Sequence, residues 1–151
     1  PLYAVFSVQE EVGLRGAARA AYDIDPDLAL VIEGTSASDV PETEEYAYST
    51  AVDKGPAFTI MDKSVIANKN ILNDLIKIAE NNDIPYQIRR SNNGGSDAGT
   101  ISLSRDGIPS AVISLPCRYI HSAVSLMSLS DYDYLKKLLK KYLHHFNKEE
   151  L

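Results

Sequence analysis

Apolar residues in this chain fall into short runs, which are separated by polar segments rich in glycine, proline and acids. Runs that are bulky, β-prone and nearly uncharged are typical of strands covered on both faces. We predict such strands at Tyr3–Val8, Leu28–Ile32, Ala57–Met61, Tyr86–Arg90 and Ser110–Leu115.

Other apolar residues recur at helical spacing. One stripe begins at Leu14 and ends near Tyr22, a second runs from Ile71 to about Asn82, and a third runs from Leu135 to Phe146. Ser130 with Asp133 predicts a capping box at the start of the last helix. The first helix lies between two predicted strands, which indicates a βαβ unit with parallel strands.

Alternation of strands and helices predicts an α/β fold with a largely parallel sheet and helices on both faces. The 151 residues suffice for one buried core and are too few for two ordinary domains. We therefore predict one unit, residues 1–151, which is a domain or part of a larger one.

Composition excludes several classes of function. The net charge of −6 and the lack of a broad basic stripe argue against nucleic acid as a partner. No apolar run reaches the roughly 20 residues that cross a bilayer, so we expect no membrane insertion. The single cysteine, Cys117, excludes an internal disulfide and suits a reducing compartment, so we expect a cytoplasmic protein.

Carboxylates follow two of the predicted strands. Glu10 and Glu11 come after the first strand and Glu33 ends the second. The carboxyl edge of a parallel sheet is where ligands bind in open α/β folds, and neighbouring carboxylates there point in different directions. One could hold a metal while the other moves protons. The alternatives are a solvated loop end for the pair and a helix cap or surface position for Glu33.

Other candidate residues have simpler interpretations. Ser91–Gly99 is a glycine-rich loop leading into a helix, and its spacing matches no complete nucleotide-binding motif. We interpret Asp97 in that loop as a helix N-cap. We interpret Cys117 as a small packing residue. His144 and His145 point about 100° apart on a helix, so we expect them to be solvated near its end.

Five segments in order resemble the dinuclear metal aminopeptidases of the glutamyl aminopeptidase and tetrahedral aminopeptidase family. Gln9–Ala17 is similar to the catalytic-glutamate signature of that family, and Ile32–Pro41 is similar to its next metal-binding segment. The other three are Gly55–Pro56, Gly94–Gly99 and Arg118–Ser122. Agreement in order is more specific than any one motif.

The resemblance implies a phosphorylase/hydrolase-like catalytic domain that removes N-terminal residues from peptide substrates. It implies two divalent ions, zinc or cobalt, with Glu11 and His121 on one ion and Glu33 on the other. A metal-bound hydroxide would attack the peptide carbonyl, and Glu10 would be the general base. The family also implies a homo-oligomer, a tetrahedral dodecamer.

The family site has five metal ligands, of which a histidine and a bridging aspartate precede the Glu-Glu motif. This sequence supplies only three ligands, so we expect residues 1–151 to be the C-terminal part of the catalytic domain, incomplete at its N-terminus and inactive alone. Two alternatives stay open: a cellulase-like glycosidase using Glu10 or Glu11 with Glu33, and a non-catalytic assembly fragment. Metal dependence would separate a peptidase from a glycosidase.

Overall fold

The computed structural model describes residues 1–146, so the predicted boundary at Leu151 lies outside the described residues. No helix in residues 1–146 is both long and apolar enough to cross a membrane. The elements in chain order are α1 (Arg15–Ile24), β1 (Ala29–Ser36), a 3-10 turn (Glu45–Ala47), β2 (Ala57–Phe58), α2 (Lys69–Asn81), β3 (Gln87–Ile88), α3 (Asp97–Ser102), β4 (Ser110–Arg118), β5 (Leu126–Met127) and α4 (Leu129–His145).

The strands form one mixed, mostly parallel sheet in the order β1-β4-β2-β3, with β5 paired to the end of β4. The longest ladder is parallel and joins β1 to β4 from Ala29↔Ser110 to Ser36↔Cys117. The pair β2–β3 is also parallel, whereas β2 and β5 run antiparallel to β4. The predicted α/β class and largely parallel sheet are confirmed.

The two faces of the sheet carry different helices. α2 and α4 pack together on one face, where Ala111 and Ile113 of β4 join their core. α1 and α3 pack together on the other face, where Val112 of β4 and Val31 of β1 contact the buried Ala98 of α3. Side chains alternate across a strand, so neighbouring residues of β4 serve opposite layers.

The helix predicted from Ile71 onwards is confirmed as α2. Its apolar stripe is buried, and Leu75 at its centre is fully covered. The Asn68 side chain accepts hydrogen bonds from the backbone N–H groups of Asn70 and Ile71, at 3.0 and 3.2 Å, and thereby caps the first turn.

The cap of the last helix lies two residues before the predicted one. Ser128, not Ser130, accepts hydrogen bonds from the first-turn N–H groups. Asp131 is fully buried and accepts hydrogen bonds from the N–H groups of Asp53 and Gly55, at 2.8 and 2.7 Å. These tertiary bonds draw Asp131 inward and set the start of α4, so the predicted Ser130–Asp133 box was wrong.

The predicted strand at Tyr3–Val8 is wrong, because the segment has no ladder partner in the described chain. Phe6 is 94% exposed. Consequently α1 is not the crossover of a βαβ unit. An apolar, β-prone run becomes a strand only when another strand satisfies its backbone hydrogen bonds, and the described residues supply none here.

Candidate active site

Glu10 and Glu11 lie in a loop that closes on the start of α1. The N–H groups of Leu14 and Gly16 donate to the carbonyl oxygens of Glu10 and Val8, at 2.9 and 3.0 Å. A Cβ on Gly16 would lie only 2.5 Å from the Val8 oxygen, so this close approach requires glycine. The local backbone therefore gives the Glu-Glu pair a defined turn although no strand precedes it.

Glu11 meets His121 from a distant part of the chain. The imidazole Nε2 lies 3.0 Å from Oε1 of Glu11, a hydrogen-bonding distance that becomes an ion pair when the imidazole is protonated. Both side chains are about two-thirds exposed. His121 has a left-handed backbone, φ +63°, in the loop between β4 and β5. The loop therefore delivers a solvent-accessible imidazole to the Glu-Glu turn.

Glu33 lies on β1 opposite Ser114 of β4. The Ser114 hydroxyl lies 3.5 Å from Oε1 of Glu33, the outer limit of a hydrogen bond. Burial raises the pKa of Glu33 to about 7, with smaller raising contributions from Glu10, Asp62 and Asp97, while Arg89 lowers it. Glu33 is thus a carboxyl group poised to change charge near neutral pH.

Glu10 shares this negative environment. Partial burial raises the pKa of Glu10, the charges of Glu11 and then Asp97 raise it further, and His121 lowers it. Glu10 therefore interacts electrostatically both with the Glu11–His121 pair and with Glu33. A carboxylate with a raised pKa binds a proton more readily at neutral pH than an ordinary glutamate does.

A hydrogen-bond network of Asp62, Ser64 and Ser96 holds the loop that leads into α3. Asp62 accepts hydrogen bonds from the Ser64 N–H and hydroxyl, at 2.7 and 2.8 Å, and Ser64 in turn accepts from the Ser96 N–H at 3.1 Å. Asp97 follows directly, and its Oδ2 accepts from the hydroxyl of Ser7 at 2.6 Å. The N-cap of α3 is Ser96, so the predicted N-cap role of Asp97 was wrong.

An ion pair anchors the loop after β1. Arg118, at the end of β4, donates two hydrogen bonds to Asp39, at 2.9 and 2.7 Å. The second oxygen of Asp39 also accepts from the N–H of Val52. The pair holds the loop between β1 and β2 against the end of β4, three residues before His121.

The predicted metal ligands come together only in part. Glu11 and His121 are in contact, whereas no group of three or more His, Cys, Asp or Glu side chains within residues 1–146 is arranged to hold one ion. Carboxylate oxygen and imidazole nitrogen are donors that zinc takes, and catalytic zinc usually has three protein ligands. The pair therefore fits a divalent ion as part of a ligand set. The metal roles of Glu11, Glu33 and His121 stay predictions.

The other sequence candidates have structural surroundings. Cys117 is partly buried, its thiol lies 3.4 Å from the Leu115 carbonyl oxygen, and burial raises its pKa, all of which fits a packing residue. His144 and His145 are exposed in the last turn of α4, as expected.

Sequence reasoning missed the supporting residues. Ser7 and Ser114 contact carboxylates, and Arg118 pairs with Asp39, yet none of the three was singled out. Ser114 carried a usable signal, because a hydroxyl in the middle of an apolar strand requires a polar partner when buried. Ser7 carried none, since a serine beside an exposed turn is unremarkable in sequence.

Comparisons with known proteins identify a family whose model matches most of the chain. The family model for M42 glutamyl aminopeptidase matches residues 1–138. The chain is 35% identical over 143 residues to lysyl aminopeptidase of Pyrococcus furiosus, covering 94% of this chain and 40% of that protein. This family favours a peptidase over the glycosidase alternative.

Solved structures give the same result. Aminopeptidase APDkam598 of Desulfurococcus kamchatkensis is 40% identical and superposes with a TM-score of 0.92, over 95% of this chain and 41% of that one. The TET1 peptidase of Pyrococcus horikoshii, described as assembling into a tetrahedron or a large octahedral shell, is 33% identical with a TM-score of 0.75, over 90% of this chain and 38% of that one. The chain thus spans about two fifths of the length of these relatives.

Proposed function

Because the chain belongs to the M42 glutamyl aminopeptidase family, we propose that the protein carrying it is a metal-dependent aminopeptidase that removes N-terminal residues from peptides. The observation that carries the proposal is the contact between Glu11 and His121, two donors far apart in sequence, directly beside Glu10. A cytoplasmic location is part of the same proposal, since the lone cysteine suits a reducing compartment.

In this proposal Glu10 is the general base. It takes a proton from the attacking water and returns it to the leaving amine. Two features support the role. Glu10 is less exposed than Glu11, and its pKa is raised by burial and by the neighbouring charges of Glu11 and Asp97, which strengthens it as a proton acceptor. Glu11 instead contacts His121 and is the better placed of the two for ligation.

Glu11 and His121 would hold one divalent ion, and Glu33 would hold a second. Zinc and cobalt are the candidate metals. When bound, such ions lower the pKa of water and polarise the peptide carbonyl. Burial of Glu33 beside Glu10 and Asp97 supports this role, because mutual repulsion among buried carboxylates is relieved by a cation.

The test of the base is Glu10→Gln in the full-length protein that carries this chain. The amide keeps the shape of the side chain and cannot accept the proton, so kcat should fall by about 10²–10⁴-fold while bound metal per subunit is unchanged. Hydrolysis of amino-acid anilides measures the first quantity and elemental analysis the second.

The matched control is Glu80→Gln, on the exposed surface of α2 in the opposite helical layer, which should leave both quantities unchanged. Glu11→Gln and His121→Ala should instead lower metal content. Wild-type turnover by Glu10→Gln would refute the base assignment, and full metal content in Glu11→Gln would refute the ligand assignment.

We also propose that the protein forms homo-oligomers, as the similar TET1 peptidase does. Sedimentation velocity should detect assemblies at micromolar concentration, and a purely monomeric protein would contradict the proposal.

A further inference from the structure

We propose that Asp97 is a positioning residue for the Glu10–Glu11 turn, acting through the hydroxyl of Ser7. The inference rests on the proposed function of Glu10, since positioning matters only if that carboxylate reacts. The Ser7 hydroxyl donates to Oδ2 of Asp97 at 2.6 Å, and Ser7 precedes Glu10 by three residues. The bond joins the N-terminal segment to the first turn of α3.

The turn needs such a link because its other backbone bonds are local. The carbonyl oxygens of Val8, Gln9 and Glu10 all accept from N–H groups between residues 13 and 16. Those bonds fix the shape of the loop and attach it to α1, which packs on α3. Within residues 1–146, two side-chain links also cross from this region to distant parts of the chain, Ser7 to Asp97 and Glu11 to His121. The Glu11–His121 contact is exposed and both of its side chains are proposed metal ligands. The Ser7–Asp97 hydrogen bond is therefore the link that we assign a structural role.

Asp97 is a rigid anchor. The residues from Ser96 to Gly99 are all buried. A Cβ on Gly99 would approach the Ser64 side chain to less than 3.0 Å, so α3 packs directly on the segment that Asp62 organises. An acceptor held this firmly transmits its position to whatever it binds.

A purely stabilising role explains Asp97 poorly. The residue is 7% exposed, and its Oδ1 is buried with no hydrogen-bond partner among residues 1–146. An uncompensated buried carboxylate oxygen is unfavourable, and the charge also repels Glu10 and Glu33. Asparagine could accept the same bond without the charge. The charged form has one local advantage: O–H···O⁻ bonds are short, about 2.5–2.7 Å, and about twice as strong as neutral ones, and the Ser7–Asp97 distance lies in this range.

The experiment compares Ser7→Ala, Asp97→Ala and the double variant in the full-length protein, with Asp97→Asn as the conservative replacement. Exposed Asp106→Ala, in the turn after α3, is the control for loss of an aspartate. The readouts are millisecond amide hydrogen exchange over residues 10–16 and the separate values of kcat and KM.

We expect exchange over residues 10–16 to rise about tenfold in Ser7→Ala, as loss of one charge-assisted hydrogen bond predicts. Asp97→Ala should match it and the double variant should add little. Asp97→Asn should restore about half of the lost protection in free energy, because a neutral hydrogen bond is about half as strong as a charge-assisted one. kcat should fall in the same order with KM nearly unchanged, because the Ser7 hydroxyl is engaged by Asp97 and the proposal gives it no contact with the substrate.

Unchanged exchange in Ser7→Ala, or additive effects in the double variant, would overturn the inference. Ser7 lies on an exposed segment, so its alanine variant tests the idea even if Asp97→Ala does not fold. If Glu10 is not the base, exchange still responds to Ser7→Ala while kcat does not. That outcome separates failure of the proposed function from failure of the positioning role.

Discussion

Gly55 should be among the positions least tolerant of alanine in this fold. Its backbone is left-handed, φ +83°, and its N–H donates to the buried carboxylate of Asp131 at 2.7 Å. A Cβ there would lie far closer than 3.0 Å to the carbonyl group of Pro85. The atoms that this Cβ would meet are backbone atoms of Pro85, so they cannot move aside as the end of a flexible side chain can.

Two costs add at Gly55. The left-handed conformation costs a residue with a Cβ about 1–2 kcal/mol, and forcing extra volume into a packed site costs about 1–3 kcal/mol. Gly55→Ala should therefore lower the free energy of unfolding by about 2–5 kcal/mol, out of the roughly 5–15 kcal/mol typical of a domain. Loss of the Asp131 hydrogen bond would take the value towards the upper end.

Gly94→Ala is the matched control. Gly94 has nearly the same backbone angle, φ +79°, but the nearest atom to an added Cβ is the flexible Nη2 of Arg89 at 3.6 Å. It should cost only about 1–2 kcal/mol. The effect of alanine on the unfolded chain is common to both variants and cancels in their difference.

Urea unfolding at equal m-values gives both free energies from the shift in midpoint. The difference between the variants then isolates the clash with Pro85. If Gly55→Ala and Gly94→Ala agree to within about 0.5 kcal/mol, the packing of Gly55 against Pro85 has no energetic consequence and the reasoning fails.

Two further predictions concern the site and its neighbouring loop. Gly16→Ala brings a Cβ to 2.5 Å from the Val8 oxygen, but the exposed segment that contains Val8 can shift, and alanine favours the helix by up to about 1 kcal/mol. The free energy of unfolding should therefore change by less than about 1 kcal/mol, while amide hydrogen exchange at residues 14–16 accelerates. Retained protection there would contradict the prediction. Hydrogen bonds from Arg118 hold the pKa of Asp39 below its usual 3.8, so Asp39 stabilises the fold above that pH and the contribution is lost as the pH falls through the folded pKa. Asp39→Asn should therefore unfold at a lower urea concentration than wild type near neutral pH, and the difference between the two unfolding midpoints should narrow below pH 3.8. A difference in midpoint that does not depend on pH would count against the ion pair.

The local pattern of apolar residues predicted an element correctly where that element depends mainly on its own sequence. The stripe beginning at Ile71 predicted α2, and the apolar run at Ser110–Leu115 predicted the core of β4. Tyr3–Val8 has an equally strong strand pattern but forms no strand. The difference lies in the partner, because β4 pairs on both sides whereas residues 3–8 have no neighbouring strand in the described chain.

The start of α4 shows a second limit of sequence reasoning. Ser128 with Asp131 and Ser130 with Asp133 both have the spacing of a serine cap followed by an acid. Only tertiary structure separates them, since the amides of Asp53 and Gly55 bind Asp131. Likewise, no spacing rule connects Glu11 with His121. Their pairing was expected from family resemblance, and their contact depends on the folded loop after β4.

The alternation along β4 bears on how sequence change in this protein should be interpreted. Ile113 is packed among the residues of α2 and α4, while the next residue, Ser114, faces Glu33. Adjacent codons thus specify residues with unrelated contacts, one within the apolar interior and the other beside a carboxylate. Invariance along this strand among descendants of one ancestor would not by itself mark a catalytic segment. A drift of Ile113 to valine would remove one methylene group and a drift of Ser114 to alanine one hydroxyl oxygen, yet only the second would alter the surroundings of Glu33.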